Sequence, residues 1–295
     1  MARCVRRGAA PAASIARDAA LAALRGAAPS AADEAGAGAP NAGAAGVADS
    51  KRNFVYGLHA VNAVLERAPE RLLELWIAQP RDDARTRELR DRAQHAGVRV
   101  QSVGGETLAK LVGDVAHQGA VAAVRALKAW DEHDLLEALS RAVEDPLLLV
   151  LDGVTDPHNL GACLRTAEAA GVHAVLIPKD RAATVDGVVR KVAAGAAEFV
   201  PVASVTNLAR TIDLLKERGI WVVGTDGQAG QTLYAADLKR PLALVLGAEG
   251  DGMRRLTRER CDFLVRIPMA GCVESLNVSV AAGVALFEAR RQRAG

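Results

Sequence analysis

Three stretches of this chain combine residue types that could do chemistry, and all three have the same form. The first is Asp152-Gly-Val-Thr-Asp-Pro-His-Asn159, after the apolar run at 147–151 and before Leu160-Gly-Ala-Cys-Leu-Arg165. The second is Gly247-Ala-Glu249-Gly-Asp-Gly252, after Pro241-Leu-Ala-Leu-Val-Leu246. The third runs Ile267-Pro-Met-Ala-Gly-Cys-Val-Glu-Ser275-Leu-Asn277-Val-Ser279. In each, a short apolar run of the kind that makes a buried parallel strand ends in a glycine- or proline-containing turn. In the first and third, polar residues then open a helix. Ligands of open α/β sheets bind at the carboxyl ends of strands, so these turns are where a reaction would be placed. Asn159, Arg165, Glu249, Ser275 and Asn277 are the polar residues that these turns and the helices after them present. Each also has a plainer role: Asn159, Ser275 and Asn277 suit helix caps, Glu274 a first-turn acid, and Arg165 a solvated helix position.

The glycines exclude two familiar chemistries. Residues 247–252 read G-x-x-G-x-G, late in the chain, whereas a dinucleotide loop needs G-x-G-x-x-G in the first βα unit. No G-K-[ST] follows either glycine cluster, which rules out a triphosphate loop of the P-loop kind.

The elements that must position these loops come from alternation of strand and helix patterns. Beyond Pro146, strands are expected at 147–151, 172–178, 199–202, 220–224, 242–246 and 263–267. Helices are expected at 160–170, 185–197, 207–218, 253–260 and 276–291. This is the signature of an α/β domain with a mostly parallel sheet. Residues 53–126 read as a smaller α/β unit, with helical spacing after Tyr56-Gly57, strands near 72–78, 98–103 and 120–124, and helices at 83–95 and 107–111. Residues 127–145 read as a linker with a short helix, and 146–295 as the second domain. Residues 1–50 are rich in Ala, Gly and Pro and bury too little surface to offset ordering entropy, so they read as an unstructured extension.

The 295 residues carry a net charge of +2, so nucleic-acid binding would come from a local patch and not from a global field. Lys179, Arg181, Arg190, Lys191, Arg254, Arg255 and Arg258 are candidates for phosphate contacts. Cys4, Cys163, Cys261 and Cys272 are scattered without a C-x-x-C pair, which speaks against a metal site and fits a reducing cytoplasm. No apolar run approaches the ~20 residues that span a bilayer.

Asp156-Pro-His-Asn-Leu-Gly-Ala-Cys-Leu-Arg165, Leu246-Gly-Ala-Glu-Gly-Asp-Gly252 and Ile267-Pro-Met-Ala-Gly…Ser275-Leu-Asn-Val-Ser279 resemble, in order, the three motifs of the SpoU branch of the SPOUT RNA methyltransferases. The stretch from Tyr56-Gly-Leu-His-Ala-Val to His117-Gln-Gly resembles the small L30e-like RNA-binding domain that precedes the transferase in that family. The resemblance implies a parallel sheet whose C-terminal segment threads a trefoil knot, a feature that generic folding rules would not give. It further implies a homodimer and S-adenosylmethionine as methyl donor, with Gly247, Ile267, Met269 and Leu276 binding the cofactor, and Asn159, Arg165, Glu249, Ser275 and Asn277 as the candidate catalytic residues on the side facing the RNA; Thr225 and Gly227, after the strand at 220–224, would line the same cofactor pocket. The substrate implied is the ribose 2′-hydroxyl of a guanosine in the peptidyl-transferase P loop of 23S rRNA. A tRNA-directed relative and a non-catalytic RNA-binding assembly protein are the alternatives. Arg165 is often given the role of activating the hydroxyl in the family. A guanidinium with a pKa above ~12 is not a base at neutral pH, so contact with phosphate or with developing alkoxide charge suits it better.

Overall fold

In the computed structural model, which describes residues 52–79, 83–113 and 115–294, the chain builds two sheets. The extension expected at 1–50 lies outside the described residues. The N-terminal unit runs β1 (Arg52–Tyr56), α1 (Leu58–Arg67), β2 (Leu72–Gln79), α2 (Ala84–His95), β3 (Arg99–Gly104), α3 (Gly105–Val112) and β4 (Ala120–Arg125). Its four strands lie in the order β1-β4-β2-β3, and only β2 and β3 are parallel. The helical spacing after Tyr56-Gly57 becomes α1, while the strand before it carried no sequence signal. Tyr56 closes β1 opposite Val121, and Gly57, at φ 92°, makes the turn into α1 that a side chain would oppose.

The segment after β4 is fastened down. Trp130 donates its N–H to the Val202 carbonyl at 3.2 Å and accepts from the Ser204 N–H at 2.9 Å. It therefore adds a residue of sheet to the edge of the C-terminal unit. Helix α4 (Glu132–Ser140) follows, begun by a capping box between Asp131 and Asp134.

The C-terminal unit comprises β5 (Leu147–Asp152), α5 (Pro157–Ala170), β6 (Ala174–Pro178), α6 (Gly187–Val192), β7 (Val202–Val205), α7 (Leu208–Glu217), β8 (Trp221–Thr225), β9 (Gln231–Thr232), β10 (Leu242–Gly247), α8 (Arg255–Arg260), β11 (Phe263–Arg266) and α9 (Val278–Ala294). The strand order is β7-β6-β5-β10-β8-β11-β9, and every neighbouring pair is parallel. Successive residues face opposite ways, so the all-apolar strands feed two cores at once. Leu147, Leu149, Leu151, Leu242, Leu244 and Leu246 pack with α5 and α9, while Leu148, Val150, Ala243 and Val245 pack with α7.

One region departs from its sequence pattern. The helix expected over 185–197 is only α6 plus one 3-10 turn (Ala196–Glu198), because Ala194 and Gly195 adopt φ of 49° and 91° and break it. Phe199 does not begin a strand. Its ring is buried in the core of the N-terminal unit, beside Val61, Leu65 and Leu75.

Since β10 lies between β5 and β8, the carboxyl ends of β5, β10, β8 and β11 stand side by side. The winding of the sheet changes direction there, which is where a crevice opens in such folds.

Candidate active site

Four loops leave those strand ends. At the first, α5 is capped by Asp156 and not by Asn159 as its position suggested. Asp156 accepts from the N–H groups of His158 and Asn159 at 3.0 and 3.3 Å, and Pro157 fills the first helical position, where no N–H is needed. This frees the Asn159 side chain. The third motif does supply a cap: Asn277 Oδ1 accepts from the Ser279 N–H at 2.9 Å and from Ser279 Oγ at 2.6 Å. With its oxygen so held, the Asn277 amide nitrogen donates to Asn159 Oδ1 at 2.9 Å and to Glu249 Oε2 at 3.4 Å. Asn159, Glu249 and Asn277, one from each motif, thus form a single polar cluster. Neither the Asn159 amide nitrogen nor Glu249 Oε1 has a partner among the described residues.

The second loop folds on itself. Ala248 and Gly252 exchange backbone hydrogen bonds of 3.0 Å in both directions, and Gly250 and Gly252 sit at φ 86° and 69°. Gly247 lies so close to this return that an added Cβ would stand 2.0 Å from the Gly252 carbonyl carbon. Asp152, 1% exposed at the end of β5, anchors the far side: it accepts from the Arg254 N–H at 2.9 Å and from Arg254 Nε at 2.6 Å. Sequence reading gave Arg254 to RNA phosphate and Asp152 no role. An acid ending an otherwise apolar strand was the available signal.

Between the second and third loops and the turn after β8 lies a cavity of about 530 Å³. Thr225, Gly227, Gly247, Ile267, Met269 and Leu276 all line it, with Glu249 and Ser275. Its charge is mostly negative: Asp226, Glu249, Asp251 and Glu274 against Arg258, whose guanidinium is held by Asp226 at 2.8 Å. Its apolar wall comes from Leu246, Ile267, Leu276 and Val278. Acidic groups beside an apolar wall fit a ligand that carries positive charge on a largely apolar body. Burial pushes the thiols of Cys163 and Cys261 up to about 12, so neither is a nucleophile at neutral pH.

Arg165 does not join this cluster. It is exposed on α5 and lines a larger cleft, of about 680 Å³, between the two units, together with Tyr56, His59, Gln118, Glu168 and Lys191. Gln118, from the His117-Gln-Gly cluster, thus faces the same space. Of the other basic candidates, Arg190, Arg254, Arg255 and Arg258 are engaged by Glu198, Asp152, Glu259 and Asp226. Lys179, Arg181 and Lys191 are exposed, and their side chains have no hydrogen bond or ion pair among the described residues.

Residues 54–130 match the family model described as RNA 2'-O ribose methyltransferase substrate binding, and residues 146–287 match the SpoU rRNA Methylase family. These two matches, in this order along an α/β chain, define an RNA methyltransferase. The chain is 58% identical over 242 residues to the 23S rRNA (guanosine-2'-O-)-methyltransferase RlmB of Pectobacterium atrosepticum, covering 82% of this chain and 99% of that one. It is 58% identical over 241 residues to the RlmB of Pseudomonas aeruginosa, covering 81% and 96%. The crystal structure of the SpoU methyltransferase AviRb from Streptomyces viridochromogenes, in complex with the cofactor AdoMet, is similar at a TM-score of 0.65 and 25% identity, over 95% of this chain and 99% of that one. This chain belongs to the SpoU rRNA methylase family.

Proposed function

We propose that this protein transfers a methyl group from S-adenosylmethionine to the ribose 2′-hydroxyl of a guanosine in 23S rRNA. The observation that carries this reading is the polar cluster of Asn159, Glu249 and Asn277 beside an acid-lined cavity at the strand ends. The relatives' activity and the structure of AviRb with AdoMet support it.

Bound in the cavity, S-adenosylmethionine supplies an electrophilic methyl on a cationic sulfur, so the chain needs to bring no further activating group. Thr225, Gly227, Gly247, Ile267, Met269 and Leu276 bind the cofactor, and Glu274 and Asp226 favour its positive charge. Glu249 Oε1, free on the side away from Asn277, accepts the proton that the ribose hydroxyl must lose. The Asn159 amide nitrogen donates to the same oxygen as charge develops on it. Asn277, locked by Ser279, keeps both in place, and Ser275 borders the opening. Arg165 and Lys191 take RNA phosphates in the cleft between the units.

In this reading residues 53–126 recognise the RNA, 146–295 carry out transfer through the knotted sheet of the family, and 127–145 join them. The target is a guanosine of the peptidyl-transferase P loop, and the protein works in the cytoplasm, where ribosomes are built. It works as a homodimer. Support for that comes from α9, which exposes Val280 and Phe287 with half-buried Val284 between them, an apolar stripe at helical spacing. Phe287→Asp is expected to convert a dimer to a monomer by light scattering, and a wild-type monomer at micromolar concentration would exclude this part.

The activity is tested by incubating the protein with labelled S-adenosylmethionine and 23S rRNA from cells lacking the modification. Digestion should yield labelled 2′-O-methylguanosine. Label in tRNA alone, or cofactor binding without transfer, would overturn the reading.

A further inference from the structure

The two units are held together by a buried ionic clasp that none of the transfer chemistry requires. Arg71, 7% exposed, leads from α1 into β2 of the N-terminal unit, and Glu198, 2% exposed, ends the 3-10 turn of the C-terminal unit. The guanidinium spends its donors on both units: Nε and Nη2 to the Arg125 carbonyl at 3.2 and 3.0 Å, Nη1 to the Glu198 carbonyl at 2.7 Å, and Nη2 to Glu198 Oε2 at 2.6 Å. Glu198 Oε1 is taken by Arg190 of α6. Next to it Phe199 is inserted into the core of the N-terminal unit, with the Arg67 guanidinium 5.2 Å above its ring, and Arg67 reaches Glu168 of α5 at 2.7 Å. Gly195 approaches Ala60 of α1 so closely that a Cβ there would lie 2.9 Å from the Ala60 Cβ.

An apolar patch alone would hold two domains together, because a buried ion pair adds little net stability over well-packed hydrophobic groups. What a forked guanidinium adds is direction: its donors are coplanar and fix the angle of approach. The clasp also forms one wall of the cleft that Arg165 and Lys191 face, since Phe199 and Gly195 line it. We propose that Arg71 and Glu198 are positioning residues that hold the RNA-recognition unit at a set angle and reach from the transfer pocket. The enzyme thereby selects RNA whose recognised segment and target ribose lie at the matching separation. This rests on the function proposed above. With the clasp open, the N-terminal unit would still bind its RNA, but the target ribose would be presented at a lower effective concentration.

The full-length chain is compared with Glu198→Gln, which keeps size but loses the charge, and with Arg71→Lys, which keeps charge but loses the fork. Arg190→Ala, weakening the clasp from its more exposed side, serves if either fails to fold. Three quantities are measured: the small-angle X-ray scattering profile, cofactor affinity, and kcat/KM on two RNAs. One RNA is long enough to span both units and the other is a target hairpin too short to do so. The clasp predicts a broader distribution of interdomain distances and cofactor affinity within about twofold of wild type. It also predicts at least a tenfold fall in kcat/KM on the long RNA with little change on the hairpin. An unchanged scattering profile, or equal losses on both RNAs, would overturn the proposal. If the wild type methylates neither RNA, the proposed function fails, and the scattering comparison alone decides whether the clasp exists.

Discussion

Gly247→Ala probes the floor of the cavity proposed to hold the cofactor. The added methyl would stand 2.0 Å from the Gly252 carbonyl carbon, 2.1 Å from the Met253 nitrogen and 2.4 Å from the Gly252 oxygen. All three are backbone atoms, so no side-chain rotation relieves the overlap and the loop itself must move. Moving it separates Ala248 from Gly252 and breaks the two 3.0 Å bonds between them. At roughly 1 kcal/mol net for each hydrogen bond, the displaced loop is about 2 kcal/mol away from its binding geometry. A cofactor that has to restore that geometry binds about 30-fold more weakly, since 1.4 kcal/mol is a factor of ten. Gly250→Ala is the control. Its Cβ would meet nothing within 4 Å, and its only burden is φ of 86°, which costs about 1 kcal/mol and predicts about a fivefold effect. Calorimetric titration of S-adenosylmethionine into each folded variant gives the comparison. The reasoning is refuted if Gly247→Ala binds within threefold of wild type, or if Gly250→Ala is the more damaged.

Arg165→Ala should leave cofactor affinity unchanged, because Arg165 lines the interdomain cleft and not the cofactor cavity. It should lower kcat/KM for rRNA by roughly 10- to 100-fold, the loss of one charged hydrogen bond at about 1.5–3 kcal/mol; parallel loss of cofactor binding would contradict the placement. Hydrogen bonds from Arg291 and then Gln292 hold the Glu288 carboxyl down at about 2. A depressed folded value means that this stabilisation is complete above the ordinary carboxylate range and is lost as pH falls toward about 2. The melting-temperature gap between wild type and Glu288→Gln should therefore narrow from pH 6 to pH 2.5, and a constant gap would reject the assignment. Iodoacetamide at pH 8 should alkylate exposed Cys272 well before Cys163 or Cys261, whose thiols burial raises to about 12. Saturating cofactor should slow the Cys272 reaction, because Glu274 and Ser275 just beyond it line the cavity. Peptide mass spectrometry reads both, and equal rates at all three cysteines would count against the burial described.

Much of the C-terminal unit was legible because its signals are local. Apolar runs of five or six residues bounded by turns became β5, β8 and β10, and Gly171 closes α5 in the left-handed conformation that glycine favours. What was not legible depends on distant pairing. β1 is recognisable only through β4, which lies far along the chain. The likeness of three polar turns was visible, but their meeting depends on β10 entering between β5 and β8, which no local pattern encodes. Asn159 read as a cap because Asn is a good one. Asp156 outcompetes it since Pro157 fits only one step after the cap. Arg71 and Glu198 carry no local signal that sets them apart from the other charges of the chain, and Phe199 read as the start of a strand. Only the packing of one unit against the other reveals what they do.

The position of β10 has a consequence for synthesis. A ribosome releases β5, and much later β8, before the strand that lies between them, and until then the edge of each that β10 pairs with is unfilled. Neighbouring strand tips cannot come into line before β10 has emerged, nor can Asn277 reach Asn159 before the third motif has followed it. A chain that stops before β10 lacks Gly247, Ile267, Met269 and Leu276 from the cavity wall, so binding in that cavity reports that these segments have been made.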